Sequence, residues 1–254
     1  MHPVVATRFS VRSSTWQTPF GDEQSRQAWM RWRAELINVG LGYCISHQST
    51  PFDAAYLLLA EGDEAFFEKY IDSSVFRPVY IPAGKESNPG LRKALSRDGF
   101  GSDVLLSRVD SDDLITADYV ERLSRAALES GMPDQWFVAV DGQRSDLRQV
   151  QSFHYVNSPF ISRFVKNRTS ESIFRNHQNV TELQPILLEG VLWWQLLHGS
   201  NLANKFWKPR PLEKQVRGKS YSGGLSEFQF DEFNRLFGFD ASKLIGVLGR
   251  EECQ

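Results

Sequence analysis

The chain has 254 residues, of which 41% are hydrophobic, 13% aromatic and 24% charged. This composition is typical of a globular protein and excludes a disordered chain, a collagen-like repeat and a disulfide-rich scaffold. The formal net charge is −2, so no general basic field attracts nucleic acid. The two cysteines, Cys44 and Cys253, are far apart in sequence, which suits a reducing cytoplasm and gives no zinc-binding pattern.

No targeting or membrane-spanning pattern is visible in the sequence. Residues 1–20 contain Arg8 and Arg12 but lack an apolar core segment, so no signal peptide is predicted. The chain also lacks an apolar run of the length, about 18 residues, that a transmembrane helix requires. We therefore expect a protein of the cytoplasm without a transmembrane segment.

Short apolar segments alternate with helical patterns over the first two-thirds of the chain. Strands separated by helices imply a mostly parallel sheet with crossover helices, which is an α/β fold. The first helix is predicted to stop at Gly40 and Gly42, and the fifth strand to turn at Asp141-Gly142. Strands are predicted over 4–9, 54–59, 75–81, 104–109 and 135–140, and helices over 24–41, 64–70, 89–95 and 116–128.

The pattern is looser beyond about residue 145. Residues 149–166 are predicted to form a β-hairpin around Asn157-Ser158-Pro159, and the apolar run 189–198 fits either a strand or a helix. Aromatic residues that follow Ser226 at helical spacing predict a packed amphipathic helix. No internal repeat or low-complexity linker marks a boundary, so we expect one domain over 1–254.

The strongest local signal is an acidic cluster directly after the fourth predicted strand. Asp110, Asp112 and Asp113 fill three of four positions, and like charges this close are costly unless a cation neutralises them. Alternate residues of an extended segment share a face, so Asp110 and Asp112 can point together. Their oxygens suit Mg²⁺ or Mn²⁺, which keep open positions for phosphate oxygens. The alternative is a solvated acidic loop before the following helix.

Two further carboxylates follow predicted strands. Open α/β sheets bind ligands at the carboxyl ends of their strands, and Asp63 and, less clearly, Asp141 fall there. Each has an ordinary structural interpretation as well, and for Asp63 it is the N-cap of the helix at 64–70.

Five segments carry a pattern that extends over most of the chain: Thr7-Arg8-Phe9, 44–49, 108–113, 157–160 and 194–201. Taken in their order and spacing, they resemble GT-A glycosyltransferases and more narrowly the rhamnosyltransferase family of bacterial polysaccharide loci. The resemblance covers roughly residues 3–205 and implies a GT-A fold, with a Rossmann-like, mostly parallel central sheet flanked by helices and a looser β/α C-terminal part. About residues 1–145 would form the nucleotide-sugar-binding half, and about 146–254 the acceptor side with a C-terminal helix.

The resemblance implies a metal-dependent transfer of a sugar, with rhamnose the favoured one, from a dTDP- or UDP-sugar to a glycan or lipid-linked glycan acceptor. It implies Mn²⁺ or Mg²⁺ as cofactor, because the cation takes up the charge of the diphosphate leaving group. Peripheral membrane association is compatible with such an acceptor. The site residues that it implies are Asp112, Asp113 and His198 for the metal, and Arg8, Asp63, Asp110 and Asn201 for the donor.

Ordinary interpretations compete with some of these roles. His198 could be a core histidine beside Trp193 and Trp194, and Arg8 could be a surface arginine. Two alternative functions also stay open: a non-catalytic GT-A-like module that binds a nucleotide sugar, and a phosphotransferase in which Asp110 is the nucleophile.

An inverting transfer needs a general base for the acceptor hydroxyl. Four carboxylates in or near the second half are candidates, and Glu189 and Asp146 rank first because that half should face the acceptor. His177 is another possible site residue, for which no role is assigned, with an ordinary interpretation as a turn histidine. The other two carboxylates are Asp141 and Glu182.

Overall fold

A computed structural model of the chain describes residues 1–11, 22–166, 172–198, 205–209 and 219–248. Its strands are β1 (His2–Arg8), β2 (Ala54–Ala60), β3 (Arg77–Ile81), β4 (Val104–Arg108), β5 (Asp113–Ile115), β6 (Trp136–Ala139), β7 (Asp141–Ser145), β8 (Gln149–His154), β9 (Ile161–Val165), β10 (Ile186–Leu188), β11 (Trp193–Leu196) and β12 (Tyr221–Glu227). Its α-helices are α1 (Glu23–Ile37), α2 (Tyr43–Ser46), α3 (Glu64–Tyr70), α4 (Ser87–Arg97), α5 (Tyr119–Ser130), α6 (Phe230–Phe237) and α7 (Ser242–Leu248).

The strands form two sheets. The larger has the order β10-β6-β9-β4-β1-β2-β3, and β9 alone runs antiparallel to its neighbours β4 and β6. The second has the order β12-β8-β7-β11-β5, so the region predicted to be loose contains most of a second sheet. The predicted class, an α/β fold with a mostly parallel central sheet flanked by helices, is confirmed.

Both faces of the central sheet are covered. Val5, Leu57 and Leu59 belong to the core with α1, α5 and the C-terminal helices, whereas Val4 and Leu58 belong to the core beneath α4. Successive side chains of a strand point to opposite faces. A strand that is buried on both faces therefore reads as an uninterrupted apolar run, and every residue of β2 is buried.

The first helix continues past the two glycines that were predicted to stop it. A π-helical segment, Asn38–Gly42, joins α1 to α2 without a break. A Cβ at Gly40 would lie 3.0 Å from Leu114, and one at Gly42 would lie 3.2 Å from Phe76. Gly40 therefore allows the helix to pack closely against β5, and Gly42 allows it to pack closely against Phe76. Neither glycine ends the helix.

Two predicted turns are wrong for a shared reason, which is that the strands beside them change sheets. Asp141-Gly142 opens β7, where Gly142 lies beneath the Trp193 ring and a Cβ at that position would overlap it. The segments β8 and β9 do not pair with one another, because β8 joins the second sheet and β9 the central one. Within the apolar run at 189–198, Trp193–Leu196 form the strand β11.

The helix predicted near the C-terminus is present as α6, which buries Phe233 and Phe237. Among the described residues, no helix is long and apolar enough to cross a membrane.

Candidate active site

Two arginines and an aspartate meet at the carboxyl edge of the central sheet. Arg8 ends β1 and Arg108 ends the adjacent strand β4. Arg108 donates from Nε and Nη2 to the Asp110 carboxylate at 3.3 Å. Burial opposes ionisation of Asp110, but Arg108 and Arg8 outweigh it and lower the pKa of the carboxyl. The edge therefore holds an ionised carboxylate beside two guanidinium groups.

A second cluster brings together Asp112, His198 and an arginine that the sequence analysis missed. His198 Nε2 lies 3.2 Å from Asp112 Oδ2, although the residues are 86 positions apart. Arg33 on α1 donates from Nη1 to the same oxygen at 3.0 Å, and that nitrogen lies 3.4 Å from His198 Nε2. Burial opposes ionisation of Asp112, but Arg33 and His198 lower its pKa strongly.

The sequence suggested that His198 could be a core histidine beside Trp193 and Trp194, and the structure gives its ring a contact with Trp32. Its side chain is 1% exposed and its ring packs edge-on against Trp32, with centroids 4.9 Å apart. Trp193 instead stacks on Phe160, and Trp194 packs against helix α6. Since both tryptophans are fully buried, neither presents a face on which a sugar could stack.

Asp113, next to Asp112 in the chain, is hydrogen-bonded to a residue outside the pair of Asp112 and His198. It opens β5, is 1% exposed, and accepts a hydrogen bond from Gln195 Nε2 at 3.2 Å. Gln195 in turn accepts from Arg144 Nε at 2.8 Å. Among the described residues, Asp113 Oδ1 has no hydrogen-bond partner. Burial raises the pKa of Asp113 well above its usual range, and Asp112 and Asp110 raise it further. Because burial disfavours the ionised form of this carboxyl, it is poorly suited to bind a cation.

Asp113→Asn is expected to stabilise the protein at pH 7. Because the pKa of Asp113 is higher in the folded than in the unfolded chain, its contribution to stability is complete below the unfolded value and is lost as the pH rises through the folded one. Each pKa unit of that difference corresponds to about 1.4 kcal/mol. The asparagine does not titrate. In urea unfolding, the free energy of unfolding of Asp113→Asn should therefore exceed that of wild type at pH 7, and the difference should be smaller near pH 4. Equal differences at both values would show that Asp113 is ionised when buried.

Asp63 is held in a buried ion pair. Its Oδ2 accepts from Arg26 Nη2 and from Ser10 Oγ, both at 2.6 Å. It stands at the N-cap position of α3, but among the described residues its side chain does not bond to that helix, so the N-cap interpretation is not supported. Both bonds use Oδ2, which leaves Oδ1 outside these two contacts.

The four carboxylates considered as general bases are spread over the second half of the chain. Asp146 bonds the backbone N–H groups at 148 and 149 and so shapes the turn between β7 and β8. Asp141 pairs with His154 at 2.7 Å and accepts from the Gly190 N–H. Glu182 and Glu189 are exposed. No described contact joins any of them to Asp110 or Asp112, and their catalytic roles stay predictions. Asn201 lies outside the described residues.

The segment 44–49 has a structural role beside the site. Gln48 donates to the Thr116 carbonyl at 2.8 Å and accepts from the Val120 N–H at 3.1 Å. It therefore caps the start of α5. Since α5 follows the acidic segment, Gln48 fixes the path of the chain directly after Asp113.

The missed cations on α1 carried a signal in the sequence. Arg26 and Arg33 are seven residues apart, which is two helical turns, and they share a face with the buried residues Met30 and Ile37. Charged residues on the apolar face of a helix indicate buried partners. Here the partners are Asp63 and Asp112.

The geometry allows a test of which residues could hold a divalent cation. Among the described residues, no group of three or more His, Cys, Asp or Glu side chains gathers around one point. Asp112 and His198 nevertheless converge, and Mg²⁺ or Mn²⁺ is often held by one or two protein ligands together with waters and substrate phosphates. Asp112 and His198 are therefore the residues that could hold such a cation.

Comparisons with known proteins give a distant structural likeness. No family model matches the chain, and no curated protein matches it. Over 78% of its length the chain is similar to Staphylococcus aureus TarS, at 11% identity and a TM-score of 0.43, and it spans 37% of the TarS chain. It is also similar to Rv0371c from Mycobacterium tuberculosis H37Rv, at 14% identity, a TM-score of 0.38 and 75% and 90% coverage of the two chains.

Proposed function

We propose that this protein is a glycosyltransferase that transfers a sugar from a nucleoside-diphosphate donor to a glycan acceptor. The observation that carries the proposal is the convergence of Asp112 and His198 beside the strand-end arginines. Guanidinium groups recognise phosphate oxygens in bidentate fashion, and Arg8 and Arg108 stand on adjacent strands at the edge where such sheets bind ligands. The donor's diphosphate would lie at this edge.

Each residue then has a distinct part. Arg8 and Arg108 would hold the diphosphate, and Asp110 would contact the ribose or the sugar. Asp63, with Oδ2 fixed by Arg26 and Ser10, would present Oδ1 to an N–H of the nucleobase. Fixing these groups before the donor arrives reduces the reorganisation that transfer requires.

Asp112 and His198 would hold Mn²⁺ or Mg²⁺. Bound there, the cation would neutralise the charge that develops on the leaving diphosphate. Rhamnose as the sugar, dTDP or UDP as the nucleotide, a lipid-linked acceptor and the cytoplasmic setting come from the resemblance of the sequence and stay predictions.

The proposal is tested by a thermal-shift panel with UDP and dTDP, each with Mn²⁺ and with EDTA. We expect stabilisation only when the cation is present, because the edge carries carboxylates as well as arginines and a diphosphate needs the additional positive charge. A ligand at 100 times its dissociation constant adds about 2.7 kcal/mol to the free energy of unfolding. A full shift in EDTA would remove the metal from the proposal.

A second measurement separates the alternatives. Mn²⁺-dependent release of nucleoside diphosphate from dTDP- or UDP-rhamnose, with water as acceptor, is expected of a transferase. Binding without release would indicate a non-catalytic module. A phosphorylated Asp110 trapped from the reaction would instead indicate a phosphotransferase.

A further inference from the structure

The segment from Phe174 to His177 is anchored on the arginines of the site. Arg8 lies over the Phe174 ring, 5.2 Å from its centroid, and Arg108 Nη1 donates to the Arg175 carbonyl at 3.3 Å. These contacts tie the segment to the ends of β1 and β4. His177, at the start of the following 3₁₀-helix, is thereby placed at the same edge as Asp110.

One hydrogen bond fixes which nitrogen of His177 carries a proton. Nδ1 lies 2.5 Å from the Asn157 carbonyl oxygen. A carbonyl oxygen only accepts, so Nδ1 must donate, and in the neutral ring Nε2 then has a free lone pair. The Tyr155 ring packs edge-on against the imidazole at 6.1 Å and holds its plane.

The charges around the ring come from three elements. The charges of Arg108 on β4, Asp110 after it and Arg144 on β7 all influence the pKa of His177. Burial lowers the pKa of His177, the bond to Asn157 opposes this, and the arginines outweigh Asp110. The ring is thus neutral near pH 7. The ionised Asp110 would stabilise the imidazolium that forms when Nε2 takes up a proton.

Resting on the proposed function, we propose that His177 Nε2 is the general base that activates the acceptor hydroxyl. The hydroxyl oxygen forms a bond to the anomeric carbon as the bond from that carbon to the diphosphate oxygen breaks. The hydroxyl proton goes to Nε2, and the bonding electron pair leaves with the nucleoside diphosphate. The imidazolium then returns its proton to water, and the configuration at the anomeric carbon is inverted.

The decisive variant is His177→Asn, whose side-chain amide can still donate to the Asn157 carbonyl but cannot accept a proton. His47→Asn is the matched control, because His47 Nδ1 makes the same kind of bond to the Tyr43 carbonyl at 2.9 Å on an exposed ring. Glu189→Gln and Asp146→Asn test the carboxylates that the sequence favoured. Release of nucleoside diphosphate from dTDP- and UDP-rhamnose, with water as acceptor, measures activity, and thermal shift with UDP and Mn²⁺ measures binding.

We expect His177→Asn to lower the rate by about 10²–10⁴-fold, the usual contribution of a general base, while UDP still stabilises the variant. The wild-type rate should fall as the pH is lowered through the pKa of His177, and the residual rate of the variant should lack this dependence. The three other variants should stay within a few-fold of wild type.

Three results would overturn the inference and leave the proposed function standing. A His177→Asn rate within a few-fold of wild type would exclude a base, and loss of UDP binding by this variant would assign His177 to binding or folding. Loss of activity in Glu189→Gln or Asp146→Asn, with His177→Asn active, would return the role to a carboxylate. A wild-type protein that neither binds nor cleaves any donor would instead overturn the proposed function and this inference together.

Discussion

Arg26→Ala is expected to lower the free energy of unfolding by about 3–5 kcal/mol, the usual cost of removing one partner of a buried ion pair. The Arg26 and Asp63 side chains are 6% and 7% exposed and 2.6 Å apart. Without the guanidinium, the Asp63 carboxylate would keep only the Ser10 hydroxyl as a described partner. The remaining charge would then be buried without compensation, which costs more than the lost contact itself.

Urea unfolding at pH 7 measures this effect. Arg31→Ala is the control, since it removes an exposed arginine from the same helix, and it should change stability by less than about 0.5 kcal/mol. The double variant Arg26→Ala, Asp63→Asn should recover part of the loss, because the unpaired charge is gone. A loss below about 1 kcal/mol in Arg26→Ala would show that water reaches Asp63 and replaces the arginine.

Asp112→Asn is expected to abolish sugar transfer in a protein that still folds. Asp112 is the carboxylate that contacts both His198 and Arg33. Loss of its charge weakens the binding of any cation held there. Removal of one electrostatic stabiliser of a transition state typically lowers the rate by about 10²–10³-fold. The variant also deprives Arg33 of its charged partner, so we expect a loss of about 1–3 kcal/mol in stability.

Asp113→Asn is the matched control for this variant, because it makes the same chemical change at the neighbouring position. Its carboxyl is buried against Gln195, so transfer should stay within a few-fold of wild type. Wild-type turnover by Asp112→Asn would show that the cluster is structural.

His198→Ala should reduce the affinity for Mn²⁺ by about tenfold or more, and it should lower stability through the loss of packing on Trp32.

The predictions that hold best are those that depend on local sequence. The uninterrupted apolar run of β2 predicts a strand covered on both faces, and every residue of this strand is buried in the structure. The helix predicted at 64–70 has the same bounds as α3. The acidic segment was correctly placed after a buried strand, at the carboxyl edge of the sheet. In each case neighbouring residues carry the whole signal.

The pairings of distant segments could not be predicted in this way. Asp141-Gly142 resembles a turn, and its pairing with β8 and β11 makes it a strand. The segments β8 and β9 resemble a hairpin because adjacent strands usually pair, but they lie in different sheets. The partners that decide these cases are tens of residues away in the sequence, so no local periodicity records them.

The features of the site show the same distinction between local sequence and distant contacts. The sequence by itself determined an α/β chain with a carboxylate cluster at a strand end, because apolar periodicity and residue type are local properties. Only the tertiary structure decided that Asp112 meets His198 and Arg33, that Asp113 is buried beside Gln195, and that the segment before His177 is bonded to Arg108 at the sheet edge. The physical reason is that burial and charge pairing depend on which distant side chains share a low-dielectric space, and the packing of α1, β5 and β11 against the sheet sets that space.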